Sequence, residues 1–195
     1  MRSGRRRASR QGPADQFRSV IRRGRELVEP LDRASFNRRP GPERWSAGQC
    51  IDHLNATARV YLPVLTEAIE GARAQGLVDG RRDGRTLLGR LLAWSQEPPA
   101  RFRTRTADVL EPDREPELDP DAVMEEFENL HEELIVRINE SGDLDRKRVK
   151  IRSVIVSRLR LSLGDWFAFL AAHARRHLWQ AEQVLAQARP PARPG

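Results

Sequence analysis

Apolar residues recur with helical spacing in four long stretches of the chain, and polar residues fill the positions between them. Across Ala14–Leu31 the apolar set is Phe17, Val20, Ile21, Leu27, Val28 and Leu31, with Arg18, Arg22, Arg25 and Glu29 on the far side, which predicts an amphipathic first helix. Pro30 lies near its end, and Asp32–Arg44, with Pro40, Gly41 and Pro42, reads as a loop leading to Trp45 and to Ser46 as an N-cap. A second long helix is expected over Ala47–Ala74, its main stripe Ile51, Leu54, Ala58, Tyr61, Leu62, Leu65 and Ile69, with Asp52, Asn55, Arg59 and Glu70 opposite. Pro63 inside it predicts a kink or break that would open space near Thr57 or Val60.

Gly76–Arg85 reads as an exposed loop and Thr86–Ser95 as a short helix. Five prolines from Pro98 to Pro120 exclude a long helix or central strand there and predict an extended connection that crosses the molecule. Asp119 or Asp121 can cap a third long helix, Ala122–Asn139, with Val123, Phe127, Leu130, Leu134 and Ile138 on its core side. Val149–Leu163 is rich in β-branched residues but has no evident partner strands, so it reads as an irregular or short extended connection. The last helix, Leu163–Ala188, stops before Pro190 and Pro191. Four long helices with long connections predict an all-α four-helix bundle, an architecture that builds cofactor sites from facing helices.

The last helix carries two of the four histidines, His173 and His177. Four residues apart, they fall in one stripe with Leu163, Trp166, Leu170, Ala181 and Val184, so both imidazoles point toward the core, and Gln180 follows one turn later. Polar rings on a buried stripe need compensation, and two nitrogens on successive turns can grip a metal ion from one side. A third ligand must come from another helix. His53 lies at the edge of the second helix's stripe, on a flank with Cys50, and His131 lies between Phe127 and Leu134; spacing leaves both open. Three neutral imidazoles with an open fourth position describe a catalytic metal geometry, with zinc as the default and nickel, iron or copper compatible. A fourth protein ligand such as His131 or Asp165 would close the site and count against catalysis.

Composition narrows the classes. A chain of 195 residues with 38% hydrophobic content suits one domain with one modest core. The expected division is a basic tail at 1–13, a helical domain at 14–188 and a second tail at 189–195. The single cysteine, Cys50, excludes an internal disulfide and a cysteine-rich zinc site, and reads as a packing residue. The net charge of +7 suggests nucleic acid at first, but residues 1–12 hold five arginines and no acid, and residues 189–195 hold two more. Residues 13–188 are formally neutral, which argues against nucleic acid as the partner. No stretch resembles a membrane span or signal peptide, so neither a membrane partner nor export is expected and the cytoplasm is the expected location. Arg101–Arg105, Arg175 and Arg176 could bind an anionic co-substrate, although the last two lean off the histidine stripe toward solvent. Tyr61 and Trp166 read as core, Asn55 as a structural hydrogen-bonding residue, and Trp179 as a possible subunit contact.

The segment RWSAGQCIDHLNATARVYLPVL, followed much later by LRLSLGDWFAFLAAHARRHLWQAEQV, resembles the DinB-like (YfiT-like) metalloprotein superfamily over roughly Phe17–Ala188. The shared pattern is a tryptophan before the second helix, a His-Leu within it, and a His-x-x-x-His followed by Gln in the last helix. The resemblance implies a four-helix bundle, often dimeric, with a divalent ion on the residues matching His53, His173 and His177, which favours His53 over His131. It also implies a small-molecule substrate and, by analogy with some relatives, thiol-dependent transferase or isomerase chemistry using a low-molecular-weight thiol such as mycothiol or bacillithiol; metal-assisted hydrolysis is the other reaction such a site allows. The alternative is a non-catalytic bundle in which a structural or vestigial metal site accompanies a function exercised through dimerisation.

Overall fold

A computed structural model describes residues 12–79, 83–99, 117–156 and 158–188. In these residues the helices are α1 (Pro13–Val28), α2 (Arg33–Asn37), α3 (Ala47–Ala74), α4 (Leu87–Gln96), α5 (Pro120–Glu140) and α6 (Leu163–Ala188). Two short strands, β1 (Lys150–Arg152) and β2 (Arg160–Ser162), lie between α5 and α6. The tails expected at 1–13 and 189–195 fall outside the described residues, except that Gly12 caps α1 and Pro13 begins it. The Arg101–Arg105 run and most of the expected crossing connection also fall outside them.

Local chemistry sets the helix ends. Ser46 and Gln49 form a reciprocal capping box: Gln49 N donates to Ser46 Oγ at 3.1 Å and Ser46 N donates to Gln49 Oε1 at 3.0 Å. Such a cap is worth about 1 kcal/mol and fixes where α3 starts. Asp119 caps α5 by accepting from Asp121 N and Ala122 N. α1 stops short of Leu31, because Pro30 has no N–H to donate to the carbonyl four residues back. The stretch expected as a loop at 32–44 contains α2, capped by Asp32 and anchored by the fully buried Phe36. Phe36 lies over Gly48, where a Cβ would come within 2.5 Å of its ring.

α3 runs without a break through Pro63, which lies on the exposed side, where water can satisfy the carbonyl its missing N–H leaves unpaired. The gap expected beside Thr57 and Val60 is filled instead: Thr57 is buried with its hydroxyl donating to His53 O at 2.8 Å, and Val60 packs against the core.

The long helices close a ring in which α1 contacts α5 and α6, and α3 contacts the same two. Cross-helix pairs give the directions. Gln16 meets Arg175 and Arg23 meets Glu182, so α1 and α6 run parallel. Asn55 reaches Val123 and Arg73 reaches the end of α5 at Glu140, so α3 and α5 also run parallel, opposite to the first pair. Two successive parallel long helices require a crossover, and the chain between α3 and α5 supplies it with α4 along the way. Among the described residues the apolar interior falls into three clusters, the largest holding Phe17, Tyr61, Leu65, Leu134, Trp166 and Phe167.

The expectation that Val149–Leu163 lacks partner strands is overturned. The segment supplies both strands, pairing antiparallel as Lys150↔Ser162, Ile151↔Leu161 and Arg152↔Arg160. Ile151 and Leu161 face the core, and Trp166 Nε1 donates to Ile151 O at 3.2 Å. Beside the ribbon, the fully buried Asp165 fixes α4. Its Oδ1 accepts from Thr86 N at 2.7 Å, and its Oδ2 accepts from the Thr86 hydroxyl at 2.8 Å and from Ser162 N at 3.3 Å. From this staple α4 packs along α6.

Candidate metal centre

Antiparallel packing of α3 on α6 places His53, two turns into α3, against the middle of α6, where His173 and His177 occupy successive turns. The capping box sets the phase of α3, and the apolar stripe of α6 sets the phase of the other two rings. His53 and His177 are buried, 2% and 7% exposed, and His173 is partly exposed. Nε2 of His53 lies 3.1 Å from Nε2 of His173. The ring of His177 lies 4.4 Å from that of His53 and 4.5 Å from that of His173, centroid to centroid. One nitrogen from each ring falls within 4.8 Å of the others, and among the described residues no carboxylate or thiol joins the group.

Aromatic rings enclose the cluster. Trp45 packs on His53 and His177 at 5.0 and 5.8 Å, and Phe169 stacks on His173 at 5.9 Å. Behind it, Gln96 at the end of α4 presents Oε1 to His173 Nδ1 at 3.4 Å. When Nδ1–H donates to this amide, Nε2 keeps its lone pair on the side facing His53.

Burial and neighbouring charge keep the two α6 rings neutral. Desolvation, then His53 and Arg176, lower the pKa of His173 to about 3. Desolvation, then His173, His53 and Arg176, hold His177 well below the ordinary imidazole range, with Gln180 working weakly the other way. Nδ1 of His177 is buried without a hydrogen-bond partner. The donor set therefore suits a borderline divalent ion: three converging imidazoles, the two of α6 held unprotonated, His53 and His173 nose to nose, and a buried ring atom of His177 with no protein partner.

The other candidates separate clearly. His131 is buried elsewhere, its Nδ1 2.7 Å from Phe127 O and its ring 4.1 Å from that of Phe127, and it does not join the cluster. Asp165 is absorbed in holding α4. Cys50 is fully buried with Ala47 and Ala181, and burial pushes its thiol up, so it is a packing residue. Tyr61 packs on Trp166 at 4.7 Å in the core, and Asn55 donates to Val123 O at 3.0 Å. The reading of Arg175 and Arg176 as solvent-facing charge needs correction. Arg175 pairs with Glu97 and donates to Gln16, and Arg176 is only 8% exposed, with Nη1 3.4 Å from Ser95 O. The end of α4 buries that face of α6, which no helical wheel of α6 alone could reveal. Gln96 was missed for the same reason, since it reaches His173 from another element.

Among known families, the model of the DinB superfamily matches residues 16–181. No curated protein and no solved structure matches the chain.

Proposed function

The chain belongs to the DinB superfamily, and on that premise we propose that His53, His173 and His177 hold one divalent ion in a metal-dependent enzyme acting on a small molecule, as a thiol-dependent transferase or a hydrolase. The observation that supports this most is the convergence of three imidazole nitrogens with no fourth His, Cys, Asp or Glu beside them among the described residues. Three protein ligands leave a position for substrate, whereas structural sites are closed by four. Zinc is the default ion, and nickel or iron suits the same nitrogen set.

When bound, such an ion supplies Lewis acidity, lowering the pKa of a thiol or water, or polarising a carbonyl. The chain's own residues do the rest. Gln96 fixes the tautomer of His173, and Trp45 and Phe169 restrict water around the rings and strengthen every charge interaction there. Arg176 adds positive potential behind the two α6 histidines, which favours an anionic nucleophile such as a thiolate. A low-molecular-weight thiol of the mycothiol or bacillithiol kind is therefore the co-substrate we assign to the site, with a homodimer in the cytoplasm as its setting.

Cobalt-loaded protein titrated with such a thiol tests this reading directly. A thiolate-to-metal charge-transfer band is expected in the wild type and not in His173→Ala. Absence of the band, together with no hydrolysis of ester and amide panels by the loaded protein, would leave the non-catalytic bundle as the better account.

A further inference from the structure

The formally neutral sum over residues 13–188 hides a local excess. Between Asp145 and Arg160 the chain carries Arg146, Lys147, Arg148, Lys150, Arg152, Arg158 and Arg160 against the single acid Asp145, whose Oδ1 is engaged by the backbone N–H groups of Lys147 and Arg148. All of these cations except Arg146 are exposed, and among the described residues none of the six exposed ones makes an ion pair. Many arginines elsewhere are matched: Arg25, Arg33, Arg59 and Arg137 each meet a carboxylate. The ribbon register even sets Arg152 directly opposite Arg160, a like-charge pair that opposes strand pairing.

At the tip of this basic ribbon stand three consecutive aliphatic residues, Val154, Ile155 and Val156, 45%, 41% and 54% exposed. The tip is held in shape from within. Ser153 Oγ accepts from Ile155 N at 3.2 Å and from Val156 N at 3.0 Å, Leu159 N donates to Val156 O, and Ser153 N donates to Leu159 O. Four of its backbone donors, on Ser153, Ile155, Val156 and Leu159, thus have protein partners, which lowers the cost of placing a turn in a medium without water.

We propose that this ribbon is a docking element for an anionic lipid surface, with Val154–Val156 entering the headgroup boundary and the cations behind them meeting the lipid phosphates. The order along the ribbon, apolar at the front and basic behind, matches the order of depth in such a membrane. Nucleic acid presents the reverse order: its phosphates are outermost, three-residue strands are too short to follow a groove, and aliphatic side chains would have to force apart stacked bases. No spanning helix is needed for such contact, so the expectation of no membrane partner, which rested on the absence of a span, does not bear on it.

The test is flotation of the full chain with vesicles of phosphatidylcholine alone and with about 30 mol% phosphatidylglycerol. Binding is expected only to the anionic vesicles, weakening as salt rises. Arg152→Gln with Arg160→Gln should lower it about fivefold per cation. Ile155→Asp should abolish it and Ile155→Leu should retain it, with the unfolding temperature lowered in none of them. A full-length variant with Arg2, Arg5, Arg6, Arg7 and Arg10 changed to Gln should still bind. The proposal is overturned if the anionic vesicles do not float the protein, if the ribbon variants bind like wild type, if only the N-terminal variant loses binding, or if a duplex DNA probe binds more tightly in a ribbon-dependent way.

Discussion

His131 and His53 are equally buried, 2% exposed each, yet the structure gives them opposite surroundings. His131 has a carbonyl for its Nδ1 and the rings of Phe17 and Phe127 around it, which is what a satisfied core histidine looks like. Burial lowers its pKa to about 4, against about 6.5 for a free ring. Below about pH 6.5 the unfolded chain therefore takes up a proton that the folded chain refuses, so stability falls with falling pH until about pH 4 and then levels. The whole effect is on the order of 3 kcal/mol for this one ring. His131→Leu should shrink the acid-side loss of stability, measured by urea unfolding at about pH 7 and about pH 5; an unchanged difference would show that the ring does not titrate this way. Gln96→Leu should weaken metal binding at least about tenfold in chelator competition, because His173 loses the group that orients it. Equal affinity would reduce that contact to packing. Helical phase made His173 and His177 legible as inward-facing rings, and the family-like pattern favoured His53. Periodicity alone did not choose between His53 and His131, because both lie on apolar faces and only the facing helix distinguishes them.

At the scale of elements, the caps carried most of the legible information. α3 and α6 run over the ranges that periodicity and Ser46 predict, because each has a strong stripe and a chemical stop. The two departures have one cause. α2 and the β1–β2 ribbon are too short for their own pattern to show, and both exist through tertiary anchors, Phe36 beneath Gly48 and Trp166 bonded to Ile151. α4 likewise depends on Asp165. Asp165→Ala would leave Thr86 N, Thr86 Oγ1 and Ser162 N without their buried acceptor, a loss of about 3 kcal/mol. Since α4 carries Gln96, the same substitution should weaken metal binding in a protein that still folds at low temperature. Gly89→Ala should act similarly, since its Cβ would fall 1.9 Å from Asp165 Oδ1. Chemical denaturation and chelator competition on each variant check both parts, and intact metal affinity in a destabilised Asp165→Ala would uncouple α4 from the site.

Among the described residues the four long helices form a ring, two up and two down, in which α3 and α5 run parallel and α4 packs on α6 beside its histidine turn. Net charge summed over the sequence placed the basic excess in the tails. What summation could not show is the concentration of unmatched cations on one ribbon, because the acids that balance them lie elsewhere on the surface. The metal reading also has a global consequence: an ion that binds only the folded chain should raise the unfolding temperature, and a chelator should lower it. The most direct measurement is the metal content of protein purified without a histidine tag, wild type beside His53→Ala, His173→Ala, His177→Ala and His131→Ala. The account predicts about one divalent ion per chain in the wild type and in His131→Ala, and near none in the other three. Equal metal in all five proteins, or none in any, would contradict it.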